Sequence, residues 1–261
     1  LIKAQEGQIP QWILDLQAAG GTSFYKFENG QKKYFNIQSK TYEPLPGTES
    51  FIILDSYREQ APVLKNSECT VHDIGDGVLC LEFTSKSNSI GEGIGKGLHE
   101  AIELAEEGDW KGLVIGNNAK QFSVGANLMN IGMFAMQKQF DVLERFVDDF
   151  QKINMKIRTS KIPVVVSTQG YVFGGGCEIS MHCDAGIYAA ESYIGLVEVG
   201  VGLLPGGGGT KEFALRASDD FFEGDIQNPT LINYFKSIAS NFYIVVGHIL
   251  TQTEFIDRGV K

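Results

Sequence analysis

The chain has 261 residues, 43% of them hydrophobic, enough to bury a sizeable core as one large domain or one domain with a small appendage. Its 22 Lys and Arg against 32 Asp and Glu give a formal charge of -10, which opposes the phosphate-neutralising contacts of nucleic-acid binders and argues against such a partner. No stretch approaches the roughly 18 uninterrupted apolar residues of a membrane span, and Leu1-Ile2-Lys3-Ala4-Gln5 lacks the layout of a signal peptide.

Residues 1–62 read as a small, partly helical N-terminal segment: amphipathic Trp12-Ile13-Leu14-Asp15-Leu16, then Gly20-Gly21, an aromatic-rich polar stretch, and Tyr42-Glu43-Pro44-Leu45-Pro46-Gly47 as a linker. The main domain is expected over residues 63–261, where strand and helix signals alternate as in an α/β fold. Val78–Phe83 predicts a strand, 97–107 a helix, and Gly112-Leu113-Val114-Ile115 a buried strand. The spacing of Phe140, Leu143, Val147, Phe150, Ile153 and Ile157 predicts a helix whose stripe packs on the core. Pro163-Val164-Val165-Val166-Ser167 predicts a strand, a helix opens near Gly175, and a strand returns over 184–189.

Cys69, Cys80, Cys177 and Cys183 form neither a CxxC pair nor a dense disulfide framework, which fits a reducing intracellular, cytoplasmic setting. Cys177, Glu178 and His182 are metal-ligand types at helical spacing, but no second cluster completes a tetrahedral site, so no metal is expected. The run 91–97 has Lys96 where a dinucleotide turn needs its last glycine, and neither a Walker loop nor a GxSxG elbow is present.

Three segments carry chemistry together. Phe122-Ser123-Val124-Gly125-Ala126-Asn127-Leu128 reads as a strand end turning at a glycine into a helix start, which leaves backbone N–H groups free to hold negative charge. In Gly170-Tyr171-Val172-Phe173-Gly174-Gly175-Gly176-Cys177-Glu178, three glycines let a ligand approach the backbone at a helix start, with Glu178 in the first turn. That segment alone reads equally well as close packing with a dipole-complementing acid. In 195–210, Glu198 interrupts a long apolar, glycine-rich run, where a carboxylate is costly unless hydrogen-bonded or protonated.

These motifs, over about residues 70–217, resemble the crotonase (enoyl-CoA hydratase/isomerase) superfamily: FSVGANL its first oxyanion segment, GYVFGGGCEISMHCD its second, and ESYIGLVEVGVGLLPGGGGT the segment with the second acid. The resemblance implies an α/β spiral of ββα units, usually trimeric, binding acyl-CoA thioesters and hydrating trans-2-enoyl-CoA. It implies that Ala126 and Gly175 donate to the thioester oxygen, that Glu178 and Glu198 are the catalytic pair, and that Gly206, with Gly125 and Gly174, positions water and substrate. Glu178 is assigned as the base and Glu198 as the proton donor. Hydration of this kind needs no metal or redox cofactor. Asn127 stands where the family commonly has Asp, a change expected in local hydrogen bonding more than in chemistry.

IPQWILDLQAAGGTSFYKF and KTYEPLP further resemble the end of the 3-hydroxyacyl-CoA dehydrogenase part of multifunctional β-oxidation enzymes, which implies a longer dehydrogenase–hydratase protein, with NAD relevant only if a dehydrogenase domain precedes this chain. A homo-oligomer, or association with other β-oxidation enzymes, follows from the same likeness. An enoyl-CoA isomerase and a non-catalytic acyl-CoA-binding or assembly module stand as alternatives. After Ser240, NFYIVVGHILTQTEF departs from the family's usual helical ending.

Overall fold

The computed structural model describes residues 9–28, 31–48, 51–222 and 250–251. The chain divides into two compact units, Leu1–Pro62 and Val63–Lys261. In the first, helix α1 (Gln11–Ala18) precedes an antiparallel sheet of β1 (Tyr25–Glu28), β2 (Gln31–Asn36) and β3 (Thr41–Pro44), followed by the short α2 (Leu54–Tyr57). The aromatic-rich stretch is therefore a sheet, which the sequence pattern left undivided. Phe35 is fully buried against Tyr42, its ring 5.6 Å away and edge-on. Asn36 shapes the β2–β3 turn by accepting from the Gln38 N–H at 2.9 Å. The expected linker at Pro44–Gly47 lies inside this unit: Pro44 ends β3, and the Leu45 N–H donates to the Lys32 carbonyl at 2.8 Å.

The second unit runs β4 (Leu64–Lys65), β5 (Cys69–Asp73), β6 (Val78–Phe83), α3 (Glu92–Glu107), β7 (Gly112–Gly116), α4 (Leu128–Met136) and α5 (Phe140–Arg158). It continues with β8 (Val164–Thr168), β9 (Tyr171–Phe173), α6 (Gly175–His182), β10 (Ala185–Tyr188), β11 (Tyr193–Gly195), a 3-10 turn at Glu198–Val201, α7 (Gly209–Phe222) and β12 (Leu250–Thr251). The larger sheet is ordered β10-β8-β7-β6-β5-β4, parallel from β10 to β6 and antiparallel beyond. A smaller sheet, β12-β11-β9, is extended past β9 by a bridge from Ser123 to Val172. The chain thus alternates between layers: β8 and β9 enter different sheets before α6 returns, and β10 and β11 repeat the step. This is the spiral of ββα units.

Leu79, Leu81, Leu113, Ile115, Val164 and Val166 fill the parallel centre, wholly apolar and half of them β-branched, as suits strands covered on both faces. Helix α3 covers this sheet closely because Gly97 carries no side chain, and a Cβ there would collide with Cys69 Sγ. It starts at Glu92 rather than Gly97, and the Glu68 carboxylate accepts from the Ile94 N–H at 3.0 Å in its first turn. The α5 stripe departs from expectation in its first half. Burial is confined to Ile153, Asn154 and Ile157, whereas Phe140 is 61% exposed. In that half Leu143, Phe146 and Phe150 are only partly buried, and α5 packs against α4, which itself buries no residue. The residues after Ser240 lie outside the described part except for β12, and no helix among the described residues is long and apolar enough to cross a membrane.

Candidate active site

Two backbone corners approach each other, Gly125 of one lying against Phe173 and Gly174 of the other. At the first, the Ile90 N–H donates to the Gly125 carbonyl at 2.8 Å and the Asn127 N–H donates to the Ile90 carbonyl at 3.0 Å, which leaves Ala126 between them with its own N–H unused. Gly125 holds φ +87°, and a Cβ on it would sit 2.9 Å from the Phe173 carbonyl oxygen, so only glycine lets this corner approach the second. Asn127 then caps α4, its side-chain oxygen accepting from the Met129 N–H at 3.2 Å and the Asn130 N–H at 3.4 Å.

At the second corner, Gly174 N–H donates to the Gly195 carbonyl at 2.9 Å and tethers the start of α6 to the end of β11. Gly175 opens α6 with its N–H at the positive end of the helix. Among the described residues neither the Ala126 nor the Gly175 N–H enters a hydrogen bond.

The two acids close on these corners. Glu178, one turn into α6 and 1% exposed, accepts from the Gly207 and Gly209 N–H groups, both at 2.8 Å, on one carboxylate oxygen. Burial pushes its carboxyl up to about 7; the Gly209 N–H opposes this, the Glu198 charge adds to it, and the Gly207 N–H again opposes it. Glu198 begins the 3-10 turn after β11, and burial also raises its carboxyl, against the backbone N–H groups of Glu198 and Val197. Its Oε2 is buried without a partner among the described residues.

Glu198 Oε1 lies 2.8 Å from where a Cβ on Gly174 would stand, and Gly174 adopts φ +51° and ψ -120°. Gly174→Ala is therefore expected to cost about 1–3 kcal/mol from the backbone alone and to displace Glu198. Urea midpoints of the variant and its parent measure the cost, and equal midpoints would refute it.

Gly206, eight residues after Glu198, has its carbonyl taken by Gln151 Nε2 at 2.7 Å while its own N–H makes no hydrogen bond among the described residues. Pairwise approaches link Gly125 to Gly174 and Gly174 to Glu198, Ala126 sits beside Gly125 on the Ile90 bridge, Gly174 and Gly175 open the helix that bears Glu178, and Gly206 precedes Gly207 in the loop that holds that carboxylate. The motifs did not indicate Gly207 and Gly209, which hold Glu178, or Asn154 and Gln151, which hold the glycine loop from α5. Asn154 was within reach of the periodicity: it sits beside Ile153 and one turn after Phe150, on the stripe's buried side.

Behind α6, Glu212 is buried among Arg158, to which it is hydrogen-bonded, Lys211 at 3.0 Å and His182 Nε2 at 3.5 Å. His182 Nδ1 donates to the Glu178 carbonyl at 2.7 Å, and burial lowers the pKa of the ring. Among the described residues no three His, Cys, Asp or Glu side chains group as metal ligands.

A "Probable 3-hydroxyacyl-CoA dehydrogenase" of Bacillus subtilis is 41% identical over 209 residues, covering 80% of this chain and 26% of that protein. "Enoyl-CoA hydratase, mitochondrial" of Pongo abelii is 30% identical over 137 residues, 52% of this chain and 45% of that one. The chain therefore spans about a quarter of the first relative and under half of the second. The crystal structure of an enoyl-CoA hydratase from Polaromonas sp. JS666 shares the fold, with a TM-score of 0.60, 20% identity and coverage of 74% of this chain and 68% of that one. A family model described as enoyl-CoA hydratase/isomerase matches residues 73–220, the stretch that holds both corners and both acids, and the chain belongs to that family.

Proposed function

We propose that this chain hydrates trans-2-enoyl-CoA thioesters in fatty-acid β-oxidation. The observation that carries the reading is the pairing of a buried Glu178 and a half-buried Glu198, both raised by burial, with the unused backbone N–H groups of Ala126 and Gly175 at corners that approach each other through Gly125 and Gly174. Addition of water builds negative charge on the thioester oxygen, and donors fixed in advance at Ala126 and Gly175 stabilise it, each by roughly 2.7–4 kcal/mol where such donors have been removed elsewhere. Glu178, in its ionised form, takes a proton from water as the water oxygen bonds to C3. Glu198, in its protonated form, gives its proton to C2 as the enolate collapses. The Gly206 N–H orients the water, and Gly125 and Gly174 keep the backbone close enough to grip the substrate. The cycle closes when Glu178 returns its proton to solvent and Glu198 regains one.

A base that must be ionised and has a pKa of about 7 gives kcat/KM an acidic limb, with activity rising as pH increases through that value. The first unit is read as the end of a dehydrogenase portion, in line with the name of the Bacillus subtilis relative, so that NAD would serve that portion and not hydration. Cytoplasmic residence and assembly with itself or with other β-oxidation enzymes belong to the same reading. The decisive assay mixes the intact protein with a short trans-2-enoyl-CoA: loss of the conjugated thioester absorbance is expected, and unchanged absorbance overturns the proposal. Conversion of a 3-enoyl-CoA without hydration would make the chain an isomerase, and acyl-CoA binding without either reaction would make it a binding module.

A further inference from the structure

We propose that Asn154, with Gln151 one turn before it on α5, is a positioning residue for Glu178. The two side-chain amides hold the carbonyls of Gly206 and Gly207, the peptides on either side of Gly207, and so fix the path of the loop that presents the Gly207 and Gly209 N–H groups to the carboxylate. This rests on the hydration reading above and deepens it.

Gln151 Nε2 donates to the Gly206 carbonyl at 2.7 Å and Asn154 Nδ2 to the Gly207 carbonyl at 2.9 Å, so residues three apart on one helix face grip consecutive peptides. The Gly206 carbonyl shares its peptide with the Gly207 N–H that donates to Glu178, and the Gly207 carbonyl lies in the next peptide, one before that of the Gly209 N–H. A run of four glycines has no side chains to fix its own path, so the direction of those N–H groups depends on what anchors the loop's carbonyls. Asn154 is fully buried beside Ile153 and Ile157, and its Oδ1 has no partner among the described residues. Packing alone would be served better by an apolar side chain, since a half-paired buried amide is costly.

The geometry also brings Asn154 next to the carboxylate. A Cβ on Gly207 would lie 2.6 Å from Asn154 Nδ2 and 2.7 Å from Glu178 Oε2, so the two side chains border the same point. The titratable or charged groups that act on or touch Glu178 are Glu198 from the 3-10 turn, and Cys177 and His182 on its own helix, with Glu212, Arg158 and Lys211 lying beyond His182. Substitution of Asn154 leaves all of them in place.

The test uses the intact protein and three variants: Asn154→Leu, which keeps the side-chain shape, Asn154→Ala, and Gln151→Ala on the exposed side of α5. Asn154→Leu is expected to lower kcat roughly 10–100-fold, with KM and saturated acyl-CoA affinity within about twofold. The acidic limb should move upward by roughly one pH unit, because a misaimed N–H no longer favours the ionised carboxylate. Gln151→Ala should shift the limb in the same direction by less, and it carries the test if the buried variants fail to fold.

A lower thermal midpoint with the limb unmoved in Asn154→Leu and Gln151→Ala would make the amides merely structural and overturn the proposal. NMR titration of the Glu178 carboxyl carbon in the resting protein, assigned by its loss in Glu178→Gln, reads the same shift without turnover. If the parent fails to hydrate enoyl-CoA, the proposed reaction falls. The carboxyl titration still decides the positioning role, since an unmoved midpoint rejects it and an upward one sustains it.

Discussion

Glu178→Gln is expected to lower kcat for hydration by about 10²–10⁴-fold, the range usual for loss of a positioned acid or base. The substituted amide oxygen can still accept from the Gly207 and Gly209 N–H groups, so the glycine loop keeps its anchor. Affinity for a saturated acyl-CoA should accordingly stay within a few-fold of the parent. Glu198→Gln is expected to fall in the same range, because that carboxyl makes no hydrogen bond through Oε2 and packs against the Gly174 corner, where its proton is of use. Steady-state rates with a short enoyl-CoA, alongside equilibrium binding of the saturated thioester, separate lost chemistry from lost binding. A variant that retained near-normal turnover would remove its residue from the mechanism.

The same substitution should make the protein more stable at neutral pH and above. Glu178 is raised from 4.5 to about 7 in the folded chain, so between those values the folded state keeps a proton that the unfolded state has lost. Unfolding free energy therefore falls as pH rises across that window, and above it the ionised Glu178 costs the fold about 3 kcal/mol. Gln carries no such penalty. Glu178→Gln should exceed its parent by up to that amount above pH about 7, with the difference closing towards pH 4.5. Urea denaturation at several pH values measures this, and a difference that does not change with pH would show that Glu178 titrates normally. Gaining stability while losing turnover is the expected trade for a carboxyl held in a costly place.

Glu198 stood out in the sequence because a lone carboxylate in an apolar, glycine-rich run is conspicuous on energetic grounds, whereas Glu178 by itself read equally well as an acid complementing a helix dipole. The glycines at 174 and 125 were legible for a related reason, since backbone corners with positive φ leave glycine as the residue of choice. What stayed hidden was contact across the chain. Asn154 and Gly207 are 53 residues apart, and no local pattern says that a loop after the 3-10 turn will lie along α5. The first half of α5 misled for the opposite reason: a periodic apolar stripe states which side is apolar but not how fully it is covered, and Phe140 stays 61% exposed. The N-terminal sheet was missed because Lys and Tyr share the half-buried positions of β2, which weakens the alternation that marks a strand.

The Ile90 bridge bears on how the first corner behaves during a reaction. Its two hydrogen bonds clasp the peptides on either side of Ala126, so that N–H group cannot swing without breaking one of them. In the proposed hydration, a charge forming in front of it would meet a dipole that has already been turned, whereas water would have to rotate into place. The orienting work is thus done when β6, α3 and the 122–127 segment assemble, once per molecule, and it does not recur with each substrate.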